Sequence, residues 1–113
     1  NLSCEFICGD FKTNKIQTIV KAADFVYMDP PYLITDAVYN EAGKWCEQNE
    51  YELIRLMNFF IENNKPFVLS NVLEKQGRRN EPLFYWTTTV KDKIRIVDMR
   101  IFIGLTLSVR WIC

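Results

Sequence analysis

The segment FVYMDPPY, residues 25–32, carries the strongest structural signal in the chain. Its first half is an apolar run typical of a strand that is buried on both faces of a parallel sheet. Its second half must end that strand, because each proline lacks an N–H and biases the residue before it toward extended geometry. We therefore expect a strand over residues 24–28, with Asp29 at its carboxyl end.

This strand end offers two adjacent hydrogen-bond acceptors on a stiff backbone, the Asp29 carboxylate and the Pro30 carbonyl. Two such acceptors suit an –NH₂ group. When the two acceptors hydrogen-bond both protons of a nucleobase amine, they favour its pyramidal form. The lone pair of that form can attack a methyl sulfonium. Tyr32 supplies a flat face on which an extruded base can stack. The predicted catalytic residues are Asp29, Pro30, Pro31 and Tyr32.

A simpler interpretation of the same motif involves no chemistry. Asp-Pro-Pro-Tyr is also a rigid strand exit, in which Asp29 serves as a turn acceptor and Tyr32 is a half-buried aromatic residue. Short motifs carry a general risk of chance matches, so the surrounding sequence has to separate the two interpretations.

The surrounding sequence resembles a known family. Residues 24–35, Asn40 and its preceding tyrosine, and the stretch FVLSNVLE at 67–74 closely resemble the DNA adenine-N6 methyltransferases of the Dam type, especially their GATC-modifying, restriction-associated branch. The likeness runs from about residue 6 to residue 74. It implies a Rossmann-like methyltransferase fold, S-adenosylmethionine as methyl donor, and a flipped adenine in double-stranded DNA as acceptor.

The resemblance also implies roles for individual residues. Asp29 and the Pro30 carbonyl would hold the adenine amino group, and Tyr32 would stack on the base. The implied cofactor-binding residues are Asp10, Phe11 and Asp29, the first two lying beside the cofactor's adenosine. The implied substrate-binding residues are Tyr32, Asn40, Ser70 and Asn71. For Ser70 and Asn71, a plain turn after a strand is an equally good interpretation.

Hydrophobic periodicity predicts an α/β topology around the motif. Residues 4–8 favour a first strand ending at Gly9-Asp10, residues 16–23 a helix, and residues 67–69 a third strand. A longer helix is expected between the second and third strands, with Asn49 as its cap and an apolar face from residue 53 to residue 61. We therefore expect a partial Rossmann-like α/β fold, a mostly parallel sheet flanked by helices, with two right-handed crossovers. Its polar strand ends would share the edge where such sheets bind ligands.

The remaining segments carry weaker signals. Residues 35–46 show no period and favour a loop over the site. Residues 75–82 form a polar stretch whose basic cluster could touch DNA phosphates or simply be solvated. Residues 83–90 suit a short helix or a strand, and 94–97 and 99–109 suit strands. From about residue 100 the resemblance ends, and residues 100–113 are atypical.

Composition restricts the function classes. A chain of 113 residues with 49% hydrophobic content predicts one packed domain, 1–113, and its 14 basic and 14 acidic residues give no global charge signal for nucleic acid. Histidine is absent, which excludes Ser-His-Asp and Cys-His hydrolase sites within this chain and disfavours a metal site. The four cysteines show no C-x-x-C pair and suggest free, mostly buried thiols of a cytoplasmic protein. The apolar run at the C-terminus is too short to cross a membrane.

The glycines lie far apart, and no Gly-rich cofactor loop precedes the motif. We therefore expect a single partial domain, the C-terminal catalytic half of an enzyme whose N-terminal half would carry the cofactor loop. The target-recognition region would also be absent, and the isolated chain would be inactive or nearly so. Two alternatives stay open: a non-catalytic remnant or partner-binding fragment, and a cytosine-N4 methyltransferase, although that chemistry usually has Ser in place of Asp29.

Overall fold

The computed structural model describes residues 3–34, 45–102 and 106–112. Its three helices and six strands within those ranges are, in chain order, α1 (Asn14–Ala22), β1 (Val26–Met28), α2 (Glu47–Glu62), β2 (Phe67–Asn71), β3 (Glu74–Lys75), β4 (Arg78–Arg79), α3 (Glu81–Thr89), β5 (Ile96–Phe102) and β6 (Thr106–Ile112).

Four of these strands form one sheet in the order β1-β2-β6-β5. β1 and β2 run parallel, with Val26 opposite Phe67 and Met28 opposite Leu69. β6 pairs antiparallel with both β2 and β5. The carboxyl ends of β1 and β2 therefore lie at the same edge of the sheet, which places Asp29 and the end of β2 near each other.

The crossover from β1 to β2 contains α2, whose apolar face covers the sheet. Leu53, Leu56, Met57 and Phe60 recur at helical spacing and are all buried. They form one core with residues of β2 and α3 that include Leu69, Leu83 and Trp86. Burial of each such side chain stabilises the fold by about 1.5–3 kcal/mol. The indole of Trp86 donates to Asn58 Oδ1 at 2.8 Å, which fixes α3 against α2.

Local signals at the helix ends and turns agree with the observed boundaries. α2 ends at Glu62, with Asn63 as its C-cap, and the following Asn64 has φ 51°, a left-handed conformation that asparagine tolerates. α3 begins after Asn80, whose Oδ1 accepts from the Leu83 N–H at 3.2 Å. The expected cap of α2 is wrong by three residues. Cys46 is the cap, and Asn49 sits in the first turn, where its Oδ1 accepts from the Cys46 N–H at 3.1 Å.

The N-terminal part of the predicted topology is wrong. Residues 4–8 form no strand and are exposed, Phe6 by 92%. A strand needs a neighbour for its backbone groups, and within the described residues β1 pairs only with β2. β1 is also not buried on both faces, since Tyr27 at its centre is 51% exposed and the preceding Phe25 is 56% exposed.

The sheet is mixed rather than mostly parallel. Of the three strand pairings in the described sheet, only β1 with β2 is parallel, so one crossover unit is present where two were expected. The antiparallel pair β5 and β6 accounts for the difference. Its strands occupy the C-terminal segment where strands were expected, and β6 inserts beside β2.

Two smaller expectations also change. The polar stretch after residue 74 contains the two-stranded hairpin β3-β4, whose turn residues Gln76 and Gly77 have φ 51° and 76°. The cysteines are not mostly buried, because Cys4, Cys8 and Cys46 are free and exposed. The first two lie in the segment that fails to join the sheet, and the third caps α2.

Candidate functional site

The centre of the candidate site is the segment that follows β1. β1 ends at Met28, and Asp29 comes next, exposed at the carboxyl edge of the sheet. Pro30 and Pro31 prevent the strand from continuing and leave only carbonyl groups for backbone hydrogen bonding. The predicted strand end is confirmed, and it leaves the Asp29 carboxylate accessible to a ligand.

Tyr32 joins the ends of the two parallel strands. Its hydroxyl donates to Asp29 Oδ1 at 3.2 Å and lies 3.3 Å from Ser70 Oγ at the end of β2. Tyr32 is half-buried and Ser70 is buried. These contacts fix the phenol ring beside the Asp29 carboxylate and join the Asp29–Tyr32 segment to Ser70, which is 38 positions from Tyr32.

A cleft of about 490 Å³ opens beside this segment. Its lining includes Asp10, Phe11 and Asp29, the three residues expected to bind a cofactor. Trp45, just before α2, and Asn49, in its first turn, also line the cleft. The volume lies within the range typical of small-molecule sites.

Asp10 and Phe11 reach the cleft from the turn that precedes α1. The backbone N–H of Lys12 donates to Asp10 Oδ1 at 2.9 Å, and the Thr13 hydroxyl donates to the Asp10 carbonyl at 2.8 Å. The carbonyl of Phe11 accepts from Gln17 Nε2 at 2.6 Å. These local bonds give the turn a defined shape although no strand leads into it, which explains how Asp10 and Phe11 reach the cleft without the expected strand.

Trp45 is a site residue that the sequence interpretation missed. Its ring stacks on Phe11 with centroids 5.6 Å apart and an interplanar angle of 27°. Its indole Nε1 donates to Glu50 Oε1 at 3.1 Å. No period or motif marks this position in the sequence, because it lies directly before α2 in a segment without repeating apolar residues.

Glu50 was missed as well, although the sequence does hold a signal for it. The residue precedes Leu53 by three positions and Met57 by seven, so it lies on the apolar face of α2. Glu50 is fully buried, and its Oε1 also accepts from Asn80 Nδ2 at 3.2 Å. A glutamate at core spacing is unusual, and here it marks a buried polar cluster.

Burial raises the pKa of the Glu50 carboxyl above its ordinary value of 4.5, because the charged form loses its water. Hydrogen bonds from Trp45 and Asn80 oppose this effect, and the nearby amide of Asn71 also lowers the pKa. The effect of Asn71 is weak, however, because Glu50 Oε2 and Asn71 Nδ2 each have no partner within hydrogen-bond distance among the described residues. Burial outweighs the hydrogen bonds, so the neutral form of the carboxyl is favoured more in the folded chain than in water.

The other predicted substrate residues have different positions. Asn71 is fully buried, and its Oδ1 accepts from the Val72 N–H at 2.8 Å. Asn40 and nearly all of the expected loop at 35–46 lie outside the described residues. In the hairpin, Arg79 pairs with Glu74 at 3.4 Å and its guanidinium lies over the Phe84 ring at 4.1 Å.

The described part of the chain contains neither a candidate metal cluster nor a candidate membrane-spanning helix. No group of three or more His, Cys, Asp or Glu residues there could hold a metal ion. No helix in the same ranges has the length and apolar character needed to cross a bilayer.

Comparison with known proteins adds a family to this geometry. The profile of the family described as D12 class N6 adenine-specific DNA methyltransferase matches residues 1–71. Modification methylase StsI of Streptococcus sanguinis is 34% identical over 79 residues, 66% of this chain and 12% of that protein. Type II methyltransferase M.FokI of Planomicrobium okeanokoites is 33% identical over 87 residues, 74% of this chain and 13% of that protein. Modification methylase LlaI of Lactococcus lactis subsp. lactis is 39% identical over 64 residues, 53% of this chain and 10% of that protein.

The chain thus spans between 10% and 13% of the length of these relatives. The family match nevertheless covers more than half of the chain, including the turn at Asp10, the whole Asp29–Tyr32 segment and the end of β2. The chain therefore belongs to the D12 class of N6 adenine-specific DNA methyltransferases.

Proposed function

We propose that this chain supplies the acceptor site, and part of the cofactor site, of an enzyme that transfers a methyl group from S-adenosylmethionine to the N6 amino group of adenine in DNA. The observation that carries the proposal is the placement of Asp29. Its carboxylate is exposed at the carboxyl edge of the parallel strand pair, and Tyr32 is held beside it by Ser70.

In this proposal Asp29 and Pro30 bind the adenine amino group. The Asp29 carboxylate accepts one N–H, and the Pro30 carbonyl accepts the other. Both acceptors then face a nitrogen that gains positive charge during transfer, and their fixed position stabilises that charge. Of these two acceptors, the Asp29 carboxylate is the one that can receive the proton which the methylated nitrogen must lose.

Tyr32 positions the base. Because its hydroxyl is anchored to Asp29 and Ser70, the ring has little freedom to rotate away from the acceptor pair. An adenine stacked on a ring held in this way keeps its amino group in reach of Asp29. Extrusion of that base from double-stranded DNA is required, because the N6 atom cannot approach a carboxylate from within the stack.

The cleft fits the proposed cofactor in size and chemistry. S-adenosylmethionine supplies the electrophilic methyl group when bound. The carboxylates of Asp10 and Asp29 can accept hydrogen bonds from ribose hydroxyl and amino groups, and Phe11 offers an aromatic face to a purine. Asp29 lies between the cleft and Tyr32, so one carboxylate borders both ligand sites.

The finer features of this function rest on the sequence resemblance. They comprise GATC as the target and membership of the Dam-type branch. Action in the cytoplasm is inferred instead from cysteines without a C-x-x-C pair, and the need for an additional cofactor loop from the scattered glycines. Transfer to cytosine N4 is the alternative chemistry, and the Asp at position 29 favours adenine over it.

The test is a methyl-transfer assay with radiolabelled S-adenosylmethionine on unmethylated DNA. It compares the chain alone, the chain mixed with the N-terminal half of a related modification methylase, and the same mixture carrying Asp29→Ala or Asp29→Asn. We expect transfer in the mixture, recovery of N6-methyladenine from the digested DNA, and loss of both with Asp29→Ala. Asp29→Asn keeps one acceptor oxygen and serves as the matched variant. Transfer that survives Asp29→Ala would contradict the proposal.

The second candidate function is a non-catalytic, partner-binding fragment. It is favoured by the exposed apolar surface of the N-terminal region, where Phe6, Phe25 and Tyr27 are each more than half exposed. It predicts a folded chain that self-associates and gives no transfer in any mixture. Sedimentation velocity of the chain over a tenfold concentration range measures the association directly.

A further inference from the structure

A buried carboxylate lies directly behind one wall of the cleft. Glu50 has no exposed surface, and its Oε1 accepts hydrogen bonds from Trp45 Nε1 at 3.1 Å and Asn80 Nδ2 at 3.2 Å. The residue occupies the first turn of α2, where the positive end of the helix dipole favours an acceptor oxygen. The acceptor mechanism described above does not use this carboxylate.

The bond from Trp45 connects this buried group to the cleft. Trp45 is half-buried, precedes the first residue of α2 by two positions, and belongs to no helix or strand. Its indole stacks on Phe11, and both rings line the cleft that contains Asp29. The Glu50 oxygen therefore sets the direction of an indole that regular secondary structure leaves free.

We infer that Glu50 is a positioning residue that holds the Trp45 indole against Phe11, so that the two rings form an aromatic wall of the cleft that binds a purine ring. The choice of a purine rests on the proposed function, because both the cofactor and the DNA substrate would bring an adenine to this cleft.

The chemistry of the cleft fits a purine nucleoside. The two rings stack on each other with their planes inclined by 27°, so a heterocycle can stack on the outer face of either ring. Asp10 and Asp29 border the same space and can accept from N–H and O–H groups of the ligand. The adenosine of S-adenosylmethionine and the target adenine share this chemistry, and the experiment below separates them.

A purely structural role for Glu50 makes a different prediction. If the carboxylate only tied α2 to Asn80, its removal would destabilise the whole core, and Trp45 would have no special response. Trp86 provides the internal reference for this distinction, because its Nε1 donates to Asn58 on α2 and not to Glu50.

The experiment is nitrogen-15 NMR of the indole N–H groups in the 113-residue chain, with assignment of the Trp45 signal by Trp45→Phe. Hydrogen exchange of the Trp45 and Trp86 signals is compared between the unchanged chain, Glu50→Gln and Glu50→Ala. We expect Glu50→Ala to abolish the protection of the Trp45 N–H while Trp86 keeps its own. Glu50→Gln retains a carbonyl oxygen for the indole and should keep most of the Trp45 protection.

Ligand binding is measured on the same signals. S-adenosylhomocysteine and a single-stranded oligonucleotide with one adenine are titrated separately, and a pyrimidine-only oligonucleotide is the control. We expect one of the two adenine ligands to shift the Trp45 signal, and the one that does so identifies the source of the purine. Trp45→Ala should weaken that ligand roughly 5- to 100-fold, the range for loss of one aromatic stacking contact.

The result that would overturn the inference is a Trp45 signal that neither adenine ligand moves, or equal exchange protection of Trp45 in the unchanged chain and Glu50→Ala. If Glu50→Ala unfolds the chain, Trp86 loses protection too, and Trp45→Ala then decides through its ligand affinity. Methyl transfer that needs Asp29 but tolerates Trp45→Ala would reject the aromatic wall and leave the proposed function standing. Purine binding at Trp45 without any methyl transfer would support the aromatic wall and reject the proposed function.

Discussion

The region from residue 3 to residue 28 and the region from residue 47 to residue 87 differ sharply in burial. The first contains no buried residue: its initial segment is exposed coil, α1 buries nothing, and β1 is only partly covered. The second contains Met57, Phe60 and Leu69, none of which has exposed surface. Both regions contribute residues to the candidate site, but only the second region contains buried core residues.

This difference separates stability from chemistry within one small chain. Asp10, Phe11 and Asp29 come from the exposed region or its border, whereas Ser70 and Glu50 belong to the packed region. Ser70 contacts Tyr32, which donates to Asp29, and Glu50 accepts from Trp45, which stacks on Phe11. The packed region thus holds Asp29 and Phe11 in place through these two half-buried aromatic residues. Substitutions in the two regions should therefore have opposite signatures in stability and activity.

The largest effect on stability is expected for Phe60→Ala. Phe60 is fully buried between α2 and β2, with its ring 5.6 Å from that of Phe67. Truncation should cost about 3–5 kcal/mol of unfolding free energy, a large share of the stability of a small domain. Urea unfolding followed by circular dichroism measures the change.

Phe25→Ala, at a position 56% exposed, is the matched control and should change stability far less. Equal losses at both positions would remove the contrast between the regions.

The largest effect on activity is expected for Asp29→Ala. Asp29 is exposed and bonded to Tyr32 alone among the side chains described, so its removal should change the unfolding free energy by no more than about 0.5 kcal/mol. In the proposed function, loss of one preorganised acceptor should lower the transfer rate about 10²- to 10³-fold. Parallel urea unfolding and methyl-transfer assays measure the two quantities. A variant that loses stability in proportion to activity would show that Asp29 belongs to the packed region after all.

Local signals predicted the packed region well. The apolar spacing of α2 and the apolar run of β2 are properties of short segments, and each segment buries the face that its own period specifies. The Asp29 strand end was equally predictable, because two consecutive prolines act on their immediate neighbours. These features required no information about the rest of the chain.

Non-local pairing explains the features that sequence reasoning missed. Residues 4–8 have a strand composition but no partner strand among the described residues, and the insertion of β6 beside β2 depends on contacts about 40 positions apart, Leu69 with Ile112. The Trp45–Phe11 stack likewise joins two segments that share no motif. Of the missed features, only Glu50 has a signal in the sequence, because a carboxylate at core spacing on an apolar helix face is unusual.

Glu50 should make stability depend on pH in a direction opposite to that of a salt-bridged carboxylate. Its folded-state pKa is raised above 4.5, so the native chain binds the proton more tightly than the unfolded chain does. Its contribution is complete below pH 4.5 and is lost as pH rises through the folded pKa.

Glu50→Gln, neutral at every pH, should lack this loss and be the more stable form at neutral pH. Urea unfolding of both chains between pH 4 and pH 8 isolates the effect, since other groups cancel in the difference. Glu47→Gln, an exposed position on the same turn, is the control. A difference that does not vary with pH would show that Glu50 is ionised as freely in the folded chain as in the unfolded one.

The two helix caps give the smallest and most direct test of the contrast. Asn80 is fully buried, and it accepts from Leu83 while donating to Glu50. Asn80→Ala therefore leaves the Leu83 N–H without its cap and removes one of the two donors to Glu50 Oε1. A loss of about 1–3 kcal/mol is expected. Thr13 caps α1 through a bond of 3.5 Å to the Ile16 N–H, at an exposed position on a helix with no buried residue. Thr13→Ala should therefore change the unfolding free energy by no more than about 0.5 kcal/mol, because water can replace the bond.

Thr13→Ser keeps the hydroxyl and controls for the lost methyl group. Hydrogen exchange adds a local measurement that global unfolding does not provide. Backbone amides of α1 should exchange faster in Thr13→Ala while those of α2 stay unchanged, since an exposed helix can open without disturbing the core. If α2 amides also exchanged faster, α1 and the packed region would unfold together, and the turn that carries Asp10 and Phe11 would owe its position to the core rather than to its own hydrogen bonds.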